Sequence, residues 1–238
     1  MNRILIQKDE LDDDNMVVIN DYRATHIINV LNPRIGEKLK IGILNGDSGI
    51  GTVSAISIGE VSLHGEFTDQ KMQPPGTSLL LALPRPKVLK RLIPQIVALG
   101  VEELILTNAE KVEKNYFATH WLKEKNYKNL IINGLEQSGD TMVPKIRIVK
   151  KLKPFIEDEL PTHFKSHNCI IAHPYTENRL SDVCTQGKKL LAIGPEGGWS
   201  NFETDMFQHA GFKPFTIGQR ILRSDTAVIA TLSVINNQ

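Results

Sequence analysis

The sequence predicts an α/β protein in two parts: a β-rich module over residues 1–72 and an α/β domain over residues 73–238. Three observations predict it. The first part carries short, β-branched runs of roughly alternating polarity, the period of a half-buried strand. The stretch QKMQPPGTS, residues 70–78, then interrupts with two prolines and a glycine. Beyond it, near-continuous apolar runs alternate with helical patterns, as in a parallel sheet covered by helices.

In chain order, MVVIN (16–20), EKLKIGILN (37–45), IGTVSAISI (50–58) and GEVSLHGEF (59–67) read as strands. NGDSG, residues 45–49, is the turn of a hairpin between two of them. RATHIINVL, residues 23–31, interrupts them with apolar positions four apart, a short helix. Together they suggest a small barrel or curled sheet. In the second part LLLALP (79–84), VEELILTN (101–108), KIRIVK (145–150), NCIIAHP (168–174), KKLLAIG (188–194) and KPFTIG (213–218) read as strands. KVLKRLIPQIVALG (87–100) is an amphipathic helix, with a kink expected at Pro94 and a stop at Gly100. Residues 112–139 hold one or two helices, and 200–211 and 224–237 one each.

Composition narrows the class. The chain has 238 residues, 41% hydrophobic and 23% charged, an ordinary globular balance. Its apolar runs are too short to span a bilayer, and its start does not read as a signal peptide, so a cytoplasmic protein without a membrane partner is expected. Cys169 and Cys184 have no paired spacing, which argues against a disulfide framework or zinc site. Net charge is +1, but unevenly divided: residues 1–70 hold six Lys and Arg against eleven Asp and Glu, whereas residues 84–153 hold fourteen against seven. That basic stretch suits either a polyanionic partner or an ordinary solvated surface.

The chemistry concentrates at strand ends. IGPEGGWSNFETD, residues 193–205, follows a buried strand and runs into a helix start, with Ser200 and Glu203 spaced as a capping box. Gly194, Gly197 and Gly198 let a ligand approach the main chain, Pro195 stiffens the loop and Glu196 supplies an acceptor. The alternative is a tight strand-to-helix turn without a ligand. After KPFTIG, the loop QRILR places Gly218, Arg220 and Arg223 around the apolar pair Ile221 and Leu222, ahead of the helix that Ser224 opens. The pair either covers a flat apolar group such as an adenine ring or plugs the core. Ala172, His173 and Pro174 end a third strand in the same layer, where a lone histidine is structural or functional. There is no Walker lysine, GxGxxG, HExxH, CxxC or GxSxG, so neither a metal nor a covalent nucleophile is implied. Positioning and electrostatics are left to carry the chemistry.

IGPEGGWS followed by TIGQRILRSDTA resembles the signature of the SPOUT-class RNA methyltransferases, and most closely the family that methylates uridine N3 in small-subunit (16S) ribosomal RNA. RATHIINVL with Gly36, PKVLKRLIPQIVALGV, EQSGDTMVPKI and IAHP extend the likeness over most of the chain. Where that family often has Arg after the VL of its first helix, this chain has Asn32; EQSGDTMVPKI has Asp140 and Thr141 after its glycine, and Ser224 and Asp225 replace the usual Thr-Glu pair.

The resemblance implies a PUA-like β-barrel followed by a SPOUT α/β domain tied in a deep trefoil knot. It implies a homodimer, S-adenosylmethionine as methyl donor and ribosomal RNA or the assembled small subunit as partner. The donor would meet Ala172 and His173, then Gly194, Pro195, Glu196, Gly197 and Gly198, then Ile217, Gly218, Ile221, Leu222 and Ser224. Arg23, Arg34, Arg85, Lys87 and Arg220 would face RNA. Arg223, then Arg220, would stabilise the uracil anion, because a guanidinium is planar and permanently charged. Glu196, Asp225 or water would accept the N3 proton, and the base must be unpaired for N3 to be reached. The same fold acting at another RNA position, or a non-catalytic RNA-binding relative, are the alternatives.

Overall fold

A computed structural model describes residues 2–236; the chain divides into two units, Met1–Gln73 with Ile132–Val143 and Pro74–Ile131 with Pro144–Gln238. Position 237, the last of the expected C-terminal helix, lies outside the described residues.

In the first unit, alternation becomes a five-stranded sheet. Its strands are β1 (Ile4–Ile6), β2 (Met16–Ile19), β3 (Lys38–Ile43), β4 (Ser48–Ser57) and β5 (Glu60–Asp69), in the order β1-β3-β4-β5-β2. The β1–β3 pair is parallel and the others are antiparallel. Register shifts near Ser48/Ile50 and Val53/Ala55 in the β4–β5 pair add twist. β1 and β2 end the order and do not pair with each other among the described residues, so the hydrogen-bonded sheet does not close. Ile4, Ile6, Ile19, Ile27, Ile41 and Leu63 form the centre of this unit's core.

The expected helix is α1 (Tyr22–His26), continued by a π-helical turn, Ile27–Leu31. Asp21 caps it by accepting the Arg23 N–H at 2.9 Å. Asn32 ends it in the left-handed conformation, φ 46°, a position where asparagine is tolerated and arginine is strained. Arg23, expected to face RNA, is 8% exposed. Its guanidinium holds Glu10 at 2.5 Å and Asp21 at 2.8 Å and donates to the Leu5 carbonyl at 2.8 Å. It is a structural tie and has no face left for phosphate.

EQSGDTMVPKI also lands differently from expectation. Most of this stretch belongs to the first unit, not to the α/β domain. Thr141 Oγ1 donates to the Gly46 carbonyl at 2.7 Å, and Asn45 Oδ1 accepts the Val143 N–H at 3.0 Å. A Cβ at Gly42 would lie 2.6 Å from Thr141 Cγ2, so glycine is required there by close packing.

The second unit is built on a fully parallel six-stranded sheet. β6 (Thr77–Ala82) leads through α2 (Pro86–Ala98) to β7 (Glu103–Thr107), and two 3-10 turns, Lys114–Ala118 and His120–Leu122, precede α3 (Glu124–Ser138). β8 (Lys145–Val149) is followed by one continuous helical run made of α4 (Leu152–Pro154), a π-helical turn (Phe155–Glu159) and α5 (Leu160–His163). Then come β9 (Asn168–Ala172), α6 (Leu180–Val183), β10 (Lys189–Ile193), α7 (Asn201–His209), β11 (Lys213–Phe215) and α8 (Ser224–Ile235). Strand order is β11-β9-β10-β6-β7-β8. Every residue of β6 and β10 is buried, including Thr77, Ser78 and Lys189 at their starts, as strands covered on both faces are. The chain builds β6, β7 and β8 to one side, crosses over for β9, and inserts β10 between β9 and β6. Strand order therefore reverses beside β10, where open α/β sheets bind ligands at the carboxyl ends of their strands. α8 packs on α2 and β10, and Asn236 accepts from Thr77 at 2.7 Å and donates to the Leu99 carbonyl at 2.6 Å.

Candidate active site

Because β9, β10 and β11 are parallel neighbours, the loops after them emerge on one edge of the sheet. They surround a cavity of about 460 Å³, inside the range of roughly 300–1,000 Å³ usual for small-molecule sites. From the first loop come Ala172 and His173, from the second Gly194, Pro195, Glu196, Gly197 and Gly198, and from the third Ile217, Arg220, Ile221, Leu222 and Ser224. The sequence had singled out all of these. Gly218 stands beside the lining, with φ 155°, and Thr216 Oγ1 donates to its carbonyl at 2.9 Å.

Each loop has its own support. The His173 N–H donates to the Phe215 carbonyl at 2.9 Å, tying the first loop to β11. Its ring meets Tyr175 edge-on at 5.7 Å. Burial lowers the His173 pKa, so the imidazole is neutral at physiological pH. In the second loop, Gly198 donates to the Pro195 carbonyl at 2.8 Å and adopts φ 69°. Lys111 Nζ donates to the Gly197 carbonyl at 2.9 Å, and the Arg85 N–H donates to Glu196 at 3.4 Å. The capping box forms: Ser200 Oγ accepts from Glu203 N at 3.4 Å, and Glu203 accepts from Ser200 N at 2.9 Å. Glu203 has a second role, accepting the Glu110 N–H at 2.7 Å, which fastens the segment after β7 to the start of α7.

The third loop resolves one of the open alternatives. Ile221 is 70% and Leu222 38% exposed, and both line the cavity, so they do not plug the core. Ser224 is the first residue of α8, and Arg223 occupies the cap position, without a side-chain cap bond. Asp225 is held between Arg91 at 2.6 Å and Arg223 at 3.6 Å. Arg223 thus sits at the mouth, outside the lining, while Arg220 is part of the wall. Arg34, Arg85 and Lys87 are exposed.

Sequence reasoning missed Trp199, Tyr175 and Lys111, which also line the cavity. Trp199 lay within the quoted motif and could have been found from the glycine spacing: its ring fills the space that a side chain at Gly194 would need. Nothing in the sequence marks Lys111, which depends on a contact spanning 86 positions. The arrangement offers one apolar wall, a glycine-rich main-chain wall and two arginines near the opening. Among the described residues no group of His, Cys, Asp and Glu is placed to hold a metal, and no helix is long and apolar enough to cross a membrane.

Comparison with known proteins bears on what such a site does. Residues 71–236 match the RNA methyltransferase domain. The chain is 30% identical to the ribosomal RNA small subunit methyltransferase E of Treponema pallidum, the match covering 99% of this chain and 90% of that protein. It is 27% identical to ribosomal RNA small subunit methyltransferase E 1 of Borreliella burgdorferi, over 97% and 95% of the two chains. In fold it is similar to the Neisseria gonorrhoeae ribosomal RNA small subunit methyltransferase E crystallised with S-adenosyl methionine, with TM-score 0.81, 22% identity and coverage of 100% and 97%. A probable rRNA-methyltransferase from Porphyromonas gingivalis gives TM-score 0.77 at 23% identity, over 98% and 97%.

Proposed function

This chain belongs to the RNA methyltransferase family, and on that premise we propose that it transfers the methyl group of S-adenosylmethionine to N3 of a uridine in small-subunit ribosomal RNA. The observation that carries the proposal is the convergence of three strand-end loops on one cavity that pairs an apolar wall, Ile217, Ile221 and Leu222, with the glycine-rich chain of residues 194–198. An adenosyl group fits that pairing: its flat base suits the apolar wall, and its polar edges suit main-chain donors and acceptors. Bound there, the donor would supply an electrophilic methyl carbon. Residues 172–173, 194–198, 217–218, 221–222 and 224 are proposed to hold it.

The remaining work falls to the protein. Uracil N3 carries a proton and attacks only once that proton is gone, so the site must place the base in line with the methyl carbon and stabilise an anion. We assign the anion to Arg223, whose exposed guanidinium has a single carboxylate partner at 3.6 Å. Arg220, on the wall, shares that role or takes a flanking phosphate. Of the carboxylates considered as proton acceptor, Asp225 is engaged by two arginines. Glu196 lines the cavity with one long hydrogen bond from Arg85, and is the better placed.

In this reading residues 1–72, joined by 132–143, form a PUA-like RNA-binding module on an unclosed five-stranded sheet, and the rest of residues 73–238 a SPOUT domain. The insertion of β10 between β9 and β6 supports a trefoil knot at that point. A homodimer is also proposed, as the family resemblance implies. The enzyme is placed in the cytosol with its ribosomal substrate, and Arg34, Arg85 and Lys87 are proposed RNA contacts. The test is Arg223→Ala: S-adenosylmethionine binding measured by calorimetry is retained and methyl transfer is lost. Unchanged turnover would remove Arg223 from the mechanism.

A further inference from the structure

Beside the cavity, the segment between β7 and α3 and the start of α2 form a strip in which aromatic and basic side chains interleave. It begins at the cavity wall, with Lys111 on the Gly197 carbonyl and the Arg85 main chain on Glu196. The Arg85 guanidinium lies beside the Tyr116 hydroxyl, which donates to Glu113 at 3.0 Å. Further along α2, Lys90 Nζ stands 4.8 Å from the centre of the Trp121 ring. The Trp121 ring is half-buried, and the exposed His120 ring lies against it at 4.2 Å, tilted by 44°. Lys87 and Lys114 are exposed along the same elements.

Arg85 and Lys87 are already proposed RNA contacts, but the proposed reaction has no use for Lys90, His120 and Trp121. An exposed histidine ring against a half-buried tryptophan, set among cations, is the chemistry of unpaired nucleic acid: bases stack on rings and phosphates meet cations. We propose that an unpaired RNA strand flanking the target nucleotide runs along this strip, with one base stacked on the His120–Trp121 platform and its phosphates on Arg85, Lys87 and Lys90. The occupant is RNA because the rings are flanked by Lys87, Lys90, Lys114 and Arg85, which outnumber Glu196 and Glu113, the two carboxylates acting on Arg85. This inference rests on the proposed RNA substrate, and it names the residues that hold the strand outside the cavity.

The experiment is a titration of the full chain with a short single-stranded oligouridylate, read by tryptophan emission. The chain has two tryptophans, Trp121 in the strip and Trp199 at the cavity. Oligouridylate is expected to quench the wild type and to leave the signal of Trp121→Phe unchanged. His120→Ala should bind about 5- to 150-fold more weakly, the range for loss of one base–aromatic stack, and His120→Tyr should restore binding. Lys87→Ala should lower the slope of log affinity against log salt by about 1. S-adenosylmethionine binding should be the same in all of them, which separates a lost RNA contact from a damaged fold. Wild-type affinity in His120→Ala overturns this inference and leaves the RNA reading standing. Failure of the wild type to bind oligouridylate while it binds S-adenosylmethionine overturns both.

Discussion

Gly194 shows how one missing side chain shapes the site. A Cβ there would lie 3.1 Å from the Trp199 nitrogen and 3.2 Å from its indole ring, tighter than most real side-chain contacts, so Trp199 would have to shift by a few tenths of an ångström. Trp199 is 6% exposed and packs edge-on against Phe207 at 4.8 Å, so it can retreat only toward the cavity. Gly194→Ala is therefore expected to cost about 1–3 kcal/mol of stability and to weaken S-adenosylmethionine binding, both checked by denaturation and calorimetry on the same sample. In the other unit, Arg23 makes a second testable site. Its hydrogen bond lowers the Glu10 pKa from the ordinary 4.5, against the opposing effect of burial. A depressed carboxylate pKa stabilises the fold above its unfolded value and loses that contribution as pH falls through the folded one. Glu10→Gln should then cost about 1.5–3 kcal/mol at neutral pH, with the difference from wild type shrinking as pH falls from 4.5 through the lowered native pKa. A constant difference across that range would show that charge is not the source. The glycines and the His173, Glu196 and Ile221 positions were legible in the sequence because a motif displays residue type. The burial of Arg23 was not, because its two carboxylates come from separate turns of chain.

Helix starts organise the next scale up. Ser200 and Glu203 were readable as a capping box from spacing alone, and both bonds form. Ser200→Ala is expected to cost about 1 kcal/mol. Glu203→Gln should cost about 1–3 kcal/mol and do more damage locally. It turns an amide N–H toward one of two main-chain donors, Ser200 N or Glu110 N, that the carboxylate satisfies together. Hydrogen exchange should rise at residues 109–112 in Glu203→Gln and stay unchanged there in Ser200→Ala. Equal exchange in the two variants would mean that the Glu110 contact does not hold the segment. Elements were missed where local signals conflicted. Leu152, Phe155, Ile156 and Leu160 are buried at helical spacing, yet Pro154 and Pro161 hide the run. β1 has three residues, all buried, and too little length to show alternation. The central parallel strands β6, β7 and β10 were legible because burial on both faces leaves a mostly apolar run.

At the scale of the whole molecule, two chain segments escape any reading by local pattern. Residues 132–143 return to the first unit through bonds spanning about a hundred positions, such as Thr141 to Gly46 and Val143 to Asn45. The insertion of β10 between β9 and β6 is a matter of pairing order, and strand sequence alone does not encode it. That insertion brings three distant loops onto one cavity, on which the proposed reaction depends. The most direct test supplies the purified chain with methyl-labelled S-adenosylmethionine and small ribosomal subunits lacking the modification, then digests the RNA and identifies the labelled nucleoside by mass spectrometry. The expected product is 3-methyluridine at a single position, absent when Arg223→Ala replaces the wild type. Label on another atom or nucleoside, or no label from an enzyme that still binds the donor, would contradict it.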